Sequence, residues 1–218
     1  MACENAALGV GIIQEIPNPI AALTECRARG LPWAEELTVA AAGRLRRAPG
    51  LLQWLIESGC PWDTFDVMHA VLSAVFLKRG NLWATQLEML EWLWVRRQDL
   101  SLAQKSKLLG LTARDNQADR AQWLHDTVGA PWPDRYWALA IGKEDVDLEG
   151  PPIQGTLKCW SFNCFKGARA SGAPWGNWRC QMFNEAWYEK IWVAGQASRI
   201  LDWAHENGCP CTCAHLDP

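Results

Sequence analysis

The chain has 218 residues, 49% of them hydrophobic and 21% charged, with a formal net charge of −3. This is an ordinary globular balance, enough for one large domain or a modest repeat array. The mildly acidic charge argues against the basic footprint that nucleic acid requires, and no apolar run approaches the roughly 18–20 residues of a membrane span.

From the N-terminus, Met1-Ala2-Cys3-Glu4-Asn5 lacks the positive start of a secretory signal, so the expected location is intracellular, in the cytoplasm with the nucleus left open. Residues 1–20, with Pro17-Asn18-Pro19, read as a lead-in or partial N-terminal cap. Gly30-Leu31-Pro32-Trp33 follows, and the same Gly-x-Pro-Trp pattern returns at Gly59-Cys60-Pro61-Trp62, Gly129-Ala130-Pro131-Trp132 and Gly172-Ala173-Pro174-Trp175. A fifth copy, Gly208-Cys209-Pro210-Cys211, has its Trp replaced. A tetrapeptide that recurs with so rare a residue marks a repeated structural unit.

The stretch from Glu35 to Leu45 predicts a helix with a small apolar run at Val39–Ala42, against which a second helix can pack closely. Pro49-Gly50 turns into a second helix in which Leu51, Leu52, Leu55 and Ile56 form one stripe with Trp54 at its edge. Gly59 can end that helix in a left-handed conformation, and Pro61 cannot continue it. Trp62 is thereby aimed back at the helix end or at the neighbouring unit.

Phe65–Leu77 predicts the next first helix, and Met89-Leu90-Glu91-Trp92-Leu93 matches the second without a following Gly-x-Pro-Trp. Arg120–Asp126, with Trp123, carries one extra residue before Gly129. Leu157-Lys158-Cys159-Trp160 is a weak copy, and Ile200–Asn207, with Trp203, a strong one. The structural anchors of the array are therefore Trp54, Gly59, Pro61, Trp62, Trp92, Trp123, Gly129, Pro131, Trp132, Gly172, Pro174, Trp175, Trp203, Gly208 and Pro210. The fold class expected is all-α, an α-solenoid of stacked helix–turn–helix units. It runs as a single array of about five helix pairs over residues 21–213, with an inserted acidic loop at 143–155 and a tail at 214–218.

Thr38–Arg44 and Leu51–Trp62, echoed by Ile200–Pro210, resemble the ankyrin repeat in a divergent form whose second helix reads Leu-x-Trp-Leu-x-x-x-Gly-Cys-Pro-Trp. The resemblance covers about residues 20–210. It implies a stack of helix pairs that binds another protein through its concave face and inter-repeat turns, with no cofactor, no catalytic residue and no small-molecule substrate.

The residues are consistent with a non-catalytic scaffold or adaptor: no Gly-x-Ser-x-Gly, Walker loop or Gly-x-Gly-x-x-Gly occurs. Trp94, Trp137, Trp178 and Trp187 fall outside the recurrent slots and are candidate partner contacts if exposed. The main alternative is a small metal- or redox-responsive protein. Cys209, Cys211, Cys213 and His215 place four soft donors within seven residues, a set suited to Zn or Cu(I). A frayed tail with incidental cysteines explains them more simply. Cys159, Cys164 and Cys180 offer further thiols that nothing in the sequence brings together. His125 and His205 share one slot on the second helix, two residues after its Trp, which favours a structural role.

Overall fold

The computed structural model describes residues 2–45, 47–74, 82–114, 118–134, 136–137, 162–176, 178, 180 and 196–211. Among them every regular element is a helix and there is no strand, and no helix is long and apolar enough to cross a membrane. The chain divides into two compact units, residues 1–100 and 101–218.

The first unit holds three helical hairpins. They are α1 (Ala2–Glu15) with α2 (Pro19–Ala28), α3 (Glu35–Gly43) with α4 (Pro49–Glu57), and α5 (Thr64–Ser73) with α6 (Leu82–Arg96). Within each hairpin the two helices pack together; α1, α3 and α5 also stack side by side, and α2 rests on α4. The stretch read as a lead-in or partial cap thus contains α1, the first helix of a hairpin.

Local sequence explains these boundaries. Pro19 and Pro49 stand in the first turns of α2 and α4, where a missing N–H costs nothing. Glu35 and Glu36 occupy the first turn of α3, favoured by the helix dipole. Asp63 caps α5 by accepting the Asp66 backbone N–H at 2.9 Å.

The stripe expected on α4 is present: Leu51, Leu52 and Leu55 are buried, with Trp54 and Ile56 half-buried beside them. Ala41 and Ala42 of α3 are fully buried, and their size lets Val67, Met68 and Val71 of α5 share the same core. Gln86 of α6, also buried, donates to the Val71 carbonyl at 2.9 Å, so its amide is satisfied where water does not reach.

The second unit contains α7 (Leu102–Arg114), α8 (Ala118–Asp126), α9 (Phe162–Ala170) and α10 (Gln196–Glu206). Helix α7 packs on α8, α8 on α9, and α9 on α10. A reciprocal cap starts α7: Ser101 Oγ accepts the Gln104 N–H at 3.2 Å, and Gln104 Oε1 accepts the Ser101 N–H at 2.9 Å.

The repeated turn closes a helix each time. Glycines 30, 59, 172 and 208 have φ between +74° and +92°. Each of these glycines donates to the carbonyl three residues back, and the residue after it donates to the carbonyl five residues back, as in Gly59→Ile56 (3.0 Å) and Cys60→Leu55 (3.0 Å). This double bond pattern is a Schellman motif, and it satisfies helix-end carbonyls that would otherwise lack partners. The extra residue before Gly129 is absorbed by a wider turn, in which Ala130 N–H reaches Leu124 O at 2.9 Å.

The helix before Gly172 differs from the expected one. It is α9, with Gly167 five residues before Gly172, where Trp54 stands before Gly59. The weak copy Leu157–Trp160 and the loop 143–155 lie outside the described residues.

Candidate functional site

The indole after each Gly-x-Pro points at the following unit. Trp33 Nε1 donates to the carbonyl of Ser58, the residue before Gly59, at 3.1 Å, and the Trp33 ring meets Trp54 edge-on at 5.9 Å. The arrangement returns near the C-terminus: Trp175 Nε1 donates to Asn207 O, before Gly208, at 3.2 Å, and the ring lies 5.9 Å from Trp203. Trp132 lies against Gly172, with Nε1 4.0 Å from where a Cβ would stand. After α6, where the Gly-x-Pro-Trp is missing, Arg97 substitutes. Its guanidinium sits 5.5 Å from the Trp62 ring centroid and donates to the Trp62 carbonyl at 2.6 Å.

Among the described residues, the non-recurrent tryptophans Trp94, Trp137 and Trp178 do not form a surface. Trp94, Trp137 and Trp178 are 8%, 2% and 3% exposed, so the expectation that they touch a partner is corrected for all three. Trp137 stacks on Phe165 at 5.4 Å, meets Trp178 edge-on at 5.5 Å and donates to Pro174 O at 2.6 Å. These rings are the aromatic core of the second unit. Trp187 lies outside the described residues.

Two features remain. The first is a groove of about 390 Å³ on the stacked first helices, floored by Val10, Val39 and Ala40 and bordered by Glu35, Glu36, Asp63 and Asp66. The four carboxylates come from the N-terminal ends of α3 and α5, so helix dipoles tolerate them there. No described cation bridges them in an ion pair.

The second is a cluster of soft donors. Cys180, His205, Cys209 and Cys211 bring one ligand atom each to within 4.8 Å of all the others. Cys180 Sγ is 3.2 Å from His205 Nε2 and 3.1 Å from Cys211 Sγ, and Cys209 Sγ is 3.0 Å from Cys211 Sγ. Cys180 is buried and the other three are half-buried. Burial first, then the Cys211 thiol beside it, holds the Cys209 thiol above its ordinary value.

The tail set expected from sequence is therefore regrouped. Cys209 and Cys211 are brought together, but with Cys180 and His205; Cys213 and His215 lie outside the described residues, as does Cys159. Half of this grouping is encoded in the repeat. His125 and His205 share a slot, and His125 packs on Trp132 at 5.3 Å while its Nδ1 lies 2.9 Å from Ala130 O. In the copy closing α10 that Trp is replaced by Cys211, whose Sγ lies within 4.8 Å of a His205 ring nitrogen. Cys180 has no such signal, because its place depends on the course of the chain after Trp175.

Cys60 behaves differently, although it shares the slot of Cys209. It is buried and donates to Ala34 O at 3.4 Å, and burial pushes its thiol up to about 12. It is a packing residue without nucleophilic character at neutral pH.

Comparisons with protein-family models, with curated proteins and with solved structures find no match to the chain.

Proposed function

We propose that the chain is an ankyrin-type repeat protein that binds a partner protein without chemistry of its own. Its surface of recognition is the groove on the stacked first helices. Three observations support this reading: the succession of hairpins, the recurrent Gly-x-Pro-Trp turn, and the resemblance of Thr38–Arg44 and Leu51–Trp62 to that repeat. The observation that carries it is the acid-rimmed, apolar-floored groove of Val10, Val39, Ala40, Glu35, Glu36, Asp63 and Asp66.

That composition specifies the chemistry of the partner. Four carboxylates around an aliphatic floor select a segment with Lys or Arg flanking small aliphatic side chains. The charges steer association and set register, while the floor supplies the burial.

The test is a displayed peptide library selected on the full chain. Selected binders are expected to be rich in Lys and Arg and to weaken with salt. They should lose about tenfold or more in affinity, roughly 1.4 kcal/mol, against the double variant Glu36→Lys, Asp66→Lys. Glu57→Lys, on a second helix away from the groove, should leave them unchanged. Binders indifferent to the double reversal and sensitive to Glu57→Lys would place recognition elsewhere.

A further inference from the structure

We propose that Cys180, His205, Cys209 and Cys211 form a tetrahedral zinc site that clamps the turn following Trp175 to the end of α10. The proposal rests on the placement of these four side chains alone and stands apart from the partner-binding reading.

The donor set comes first. Three thiols and one imidazole make the Cys3His combination that suits Zn²⁺ and does not suit Mg²⁺ or Ca²⁺, which take oxygen ligands. All four positions are filled by the protein, which is the mark of a closed structural site and not of one with a coordination place left for a substrate.

The distances fit. With Zn–S near 2.3 Å and Zn–N near 2.0–2.1 Å, a regular tetrahedron has S···S edges of about 3.7 Å and S···N edges of about 3.5 Å. Here the three close edges measure 3.0, 3.1 and 3.2 Å, and no edge exceeds 4.8 Å. Widening the short edges by about 0.7 Å or less and closing the long ones by up to about 1.3 Å lies within ordinary adjustment of cysteine and histidine χ angles.

A disulfide accounts for less. It joins two sulfurs about 2.05 Å apart, and it would leave a third thiol and an imidazole crowded against the bond. Cys211 Sγ touches both Cys180 Sγ and Cys209 Sγ, so no single pairing explains the grouping. One ion bound to all four atoms does. The step needs no oxidant: each thiol releases one proton to solvent as its thiolate binds, and neutral His205 gives the lone pair of Nε2.

The local fold shows why a metal is useful at this place. In the preceding copy the residue after the proline is Trp175, whose ring and N–H hold the end of α10 at Trp203 and Asn207. In the copy closing α10 that residue is Cys211, with no ring to bury. Residues 205, 209 and 211 are gathered by one Schellman turn, Gly208 N–H to His205 O at 3.1 Å and Cys209 N–H to Ala204 O at 3.0 Å. Only Cys180 has to arrive from another segment, and it does so from the turn that Trp178 N–H closes on Trp175 O at 2.9 Å. An ion here ties two successive turns together where the indole is missing, and its binding energy becomes folding stability.

The experiment uses the full chain purified under reducing conditions. Zinc content is measured by elemental analysis, affinity by competition with a chromogenic chelator, and geometry by the visible spectrum of the Co²⁺-substituted protein. The expected result is one zinc per chain, with the intense visible bands of tetrahedral thiolate-bound Co²⁺. Cys180→Ser and His205→Ala should each weaken zinc binding by about tenfold or more, since each removes one of four ligands. Cys26→Ser and Cys213→Ser should keep it. If the first two variants fail to fold, a second measurement decides. A strong chelator should lower the thermal midpoint of the unaltered chain, and Zn²⁺ at one equivalent, but not Mg²⁺, should restore it. The proposal is overturned by a chain without zinc, by unchanged affinity in Cys180→Ser, by zinc lost in Cys213→Ser, or by a midpoint indifferent to the chelator.

Discussion

Trp33 donates its indole N–H to the carbonyl of Ser58, and Trp175 makes the same bond to Asn207 in the other compact unit. Both acceptors are the residue before a glycine that ends a later helix, α4 or α10. The bond thus recurs in these two copies, and it serves a carbonyl that the helix itself leaves without a partner. In these two copies the turn does two tasks: its glycine closes one helix, and its tryptophan closes the next.

The ring and its N–H are separable by substitution. Trp175→Phe keeps an aromatic side chain against Trp203 while removing the donor and part of the buried ring volume, so it should cost about 1–3 kcal/mol. Trp175→Ala empties a largely buried site and should cost about 3–5 kcal/mol. Trp33 is more exposed, so Trp33→Ala should cost less than Trp175→Ala. Urea unfolding followed by circular dichroism checks the order. Equal losses for Trp175→Phe and Trp175→Ala would mean that the ring contributes nothing beyond its hydrogen bond.

Much of this architecture is legible in the sequence. A glycine followed by proline and tryptophan states a helix end, an extended exit and a large anchor, and each of those follows from local backbone chemistry. The stripe Leu51, Leu52 and Leu55 follows from period alone. The features that the sequence hides depend on tertiary context. Trp94, Trp137 and Trp178 sit outside the repeat slots yet are buried, the last two because the second unit packs its rings on one another, as Trp137 does on Phe165 and Trp178. Helix α9 lacks the repeat's signature because Gly167 stands where the repeat has Trp, leaving Phe165 and Ala168 to fill the core. Of the metal-ligand set, the turn geometry accounts for the nearness of His205, Cys209 and Cys211. The arrival of Cys180 is a long-range contact, which no local pattern encodes.

Three glycines rank the backbone constraints. Gly43 ends α3 with open space around its missing Cβ and no positive φ, so Gly43→Ala should stabilise by about 0.5–1 kcal/mol through the unfolded chain. Gly59 has the same open space but φ of +80°, and Gly59→Ala should cost about 1–2 kcal/mol of left-handed strain. At Gly176, φ is +48° and a Cβ would stand 2.7 Å from the Asp134 carbonyl oxygen, so strain and clash add. Gly176→Ala should be the most damaging of the three. Thermal midpoints are expected to fall in the order Gly43→Ala, unaltered chain, Gly59→Ala, Gly176→Ala.

The cap on α5 offers a smaller, local test. Asp63 Oδ1 holds the Asp66 N–H at 2.9 Å. Asp63→Ala should cost about 1 kcal/mol, and Asp63→Asn much less, because the amide oxygen can accept the same bond. Asp63 also borders the groove, so Asp63→Asn should weaken a basic peptide while leaving the denaturation midpoint nearly unchanged. If both substitutions lowered stability equally, the charge near the helix dipole, and not the cap, would be what counts.

Cys60 makes a contribution to stability that declines in alkali. Burial raises its thiol from 9.0 to about 12, with Arg27 opposing and Glu35 and Glu36 adding to the rise. The folded value exceeds the unfolded one, so any stability tied to this group is fully present below pH 9 and is lost as pH climbs towards 12. Between those limits the unfolded chain has released the proton and the folded chain has kept it; the unfolded state binds fewer protons, and stability falls with pH. The steepest slope for one such group is about 1.4 kcal/mol per pH unit, and the loss at about pH 10 should be roughly 1 kcal/mol. Cys60→Ala removes the group from both states. Its stability should be lower than that of the unaltered chain at neutral pH, because a buried side chain shrinks. Its decline from about pH 8 to about pH 10 should nonetheless be shallower by about that 1 kcal/mol, the difference that linkage assigns to the thiol. Parallel declines in denaturant midpoints of the two proteins over that range would show that the Cys60 thiol ionises as readily in the folded chain as in the unfolded one.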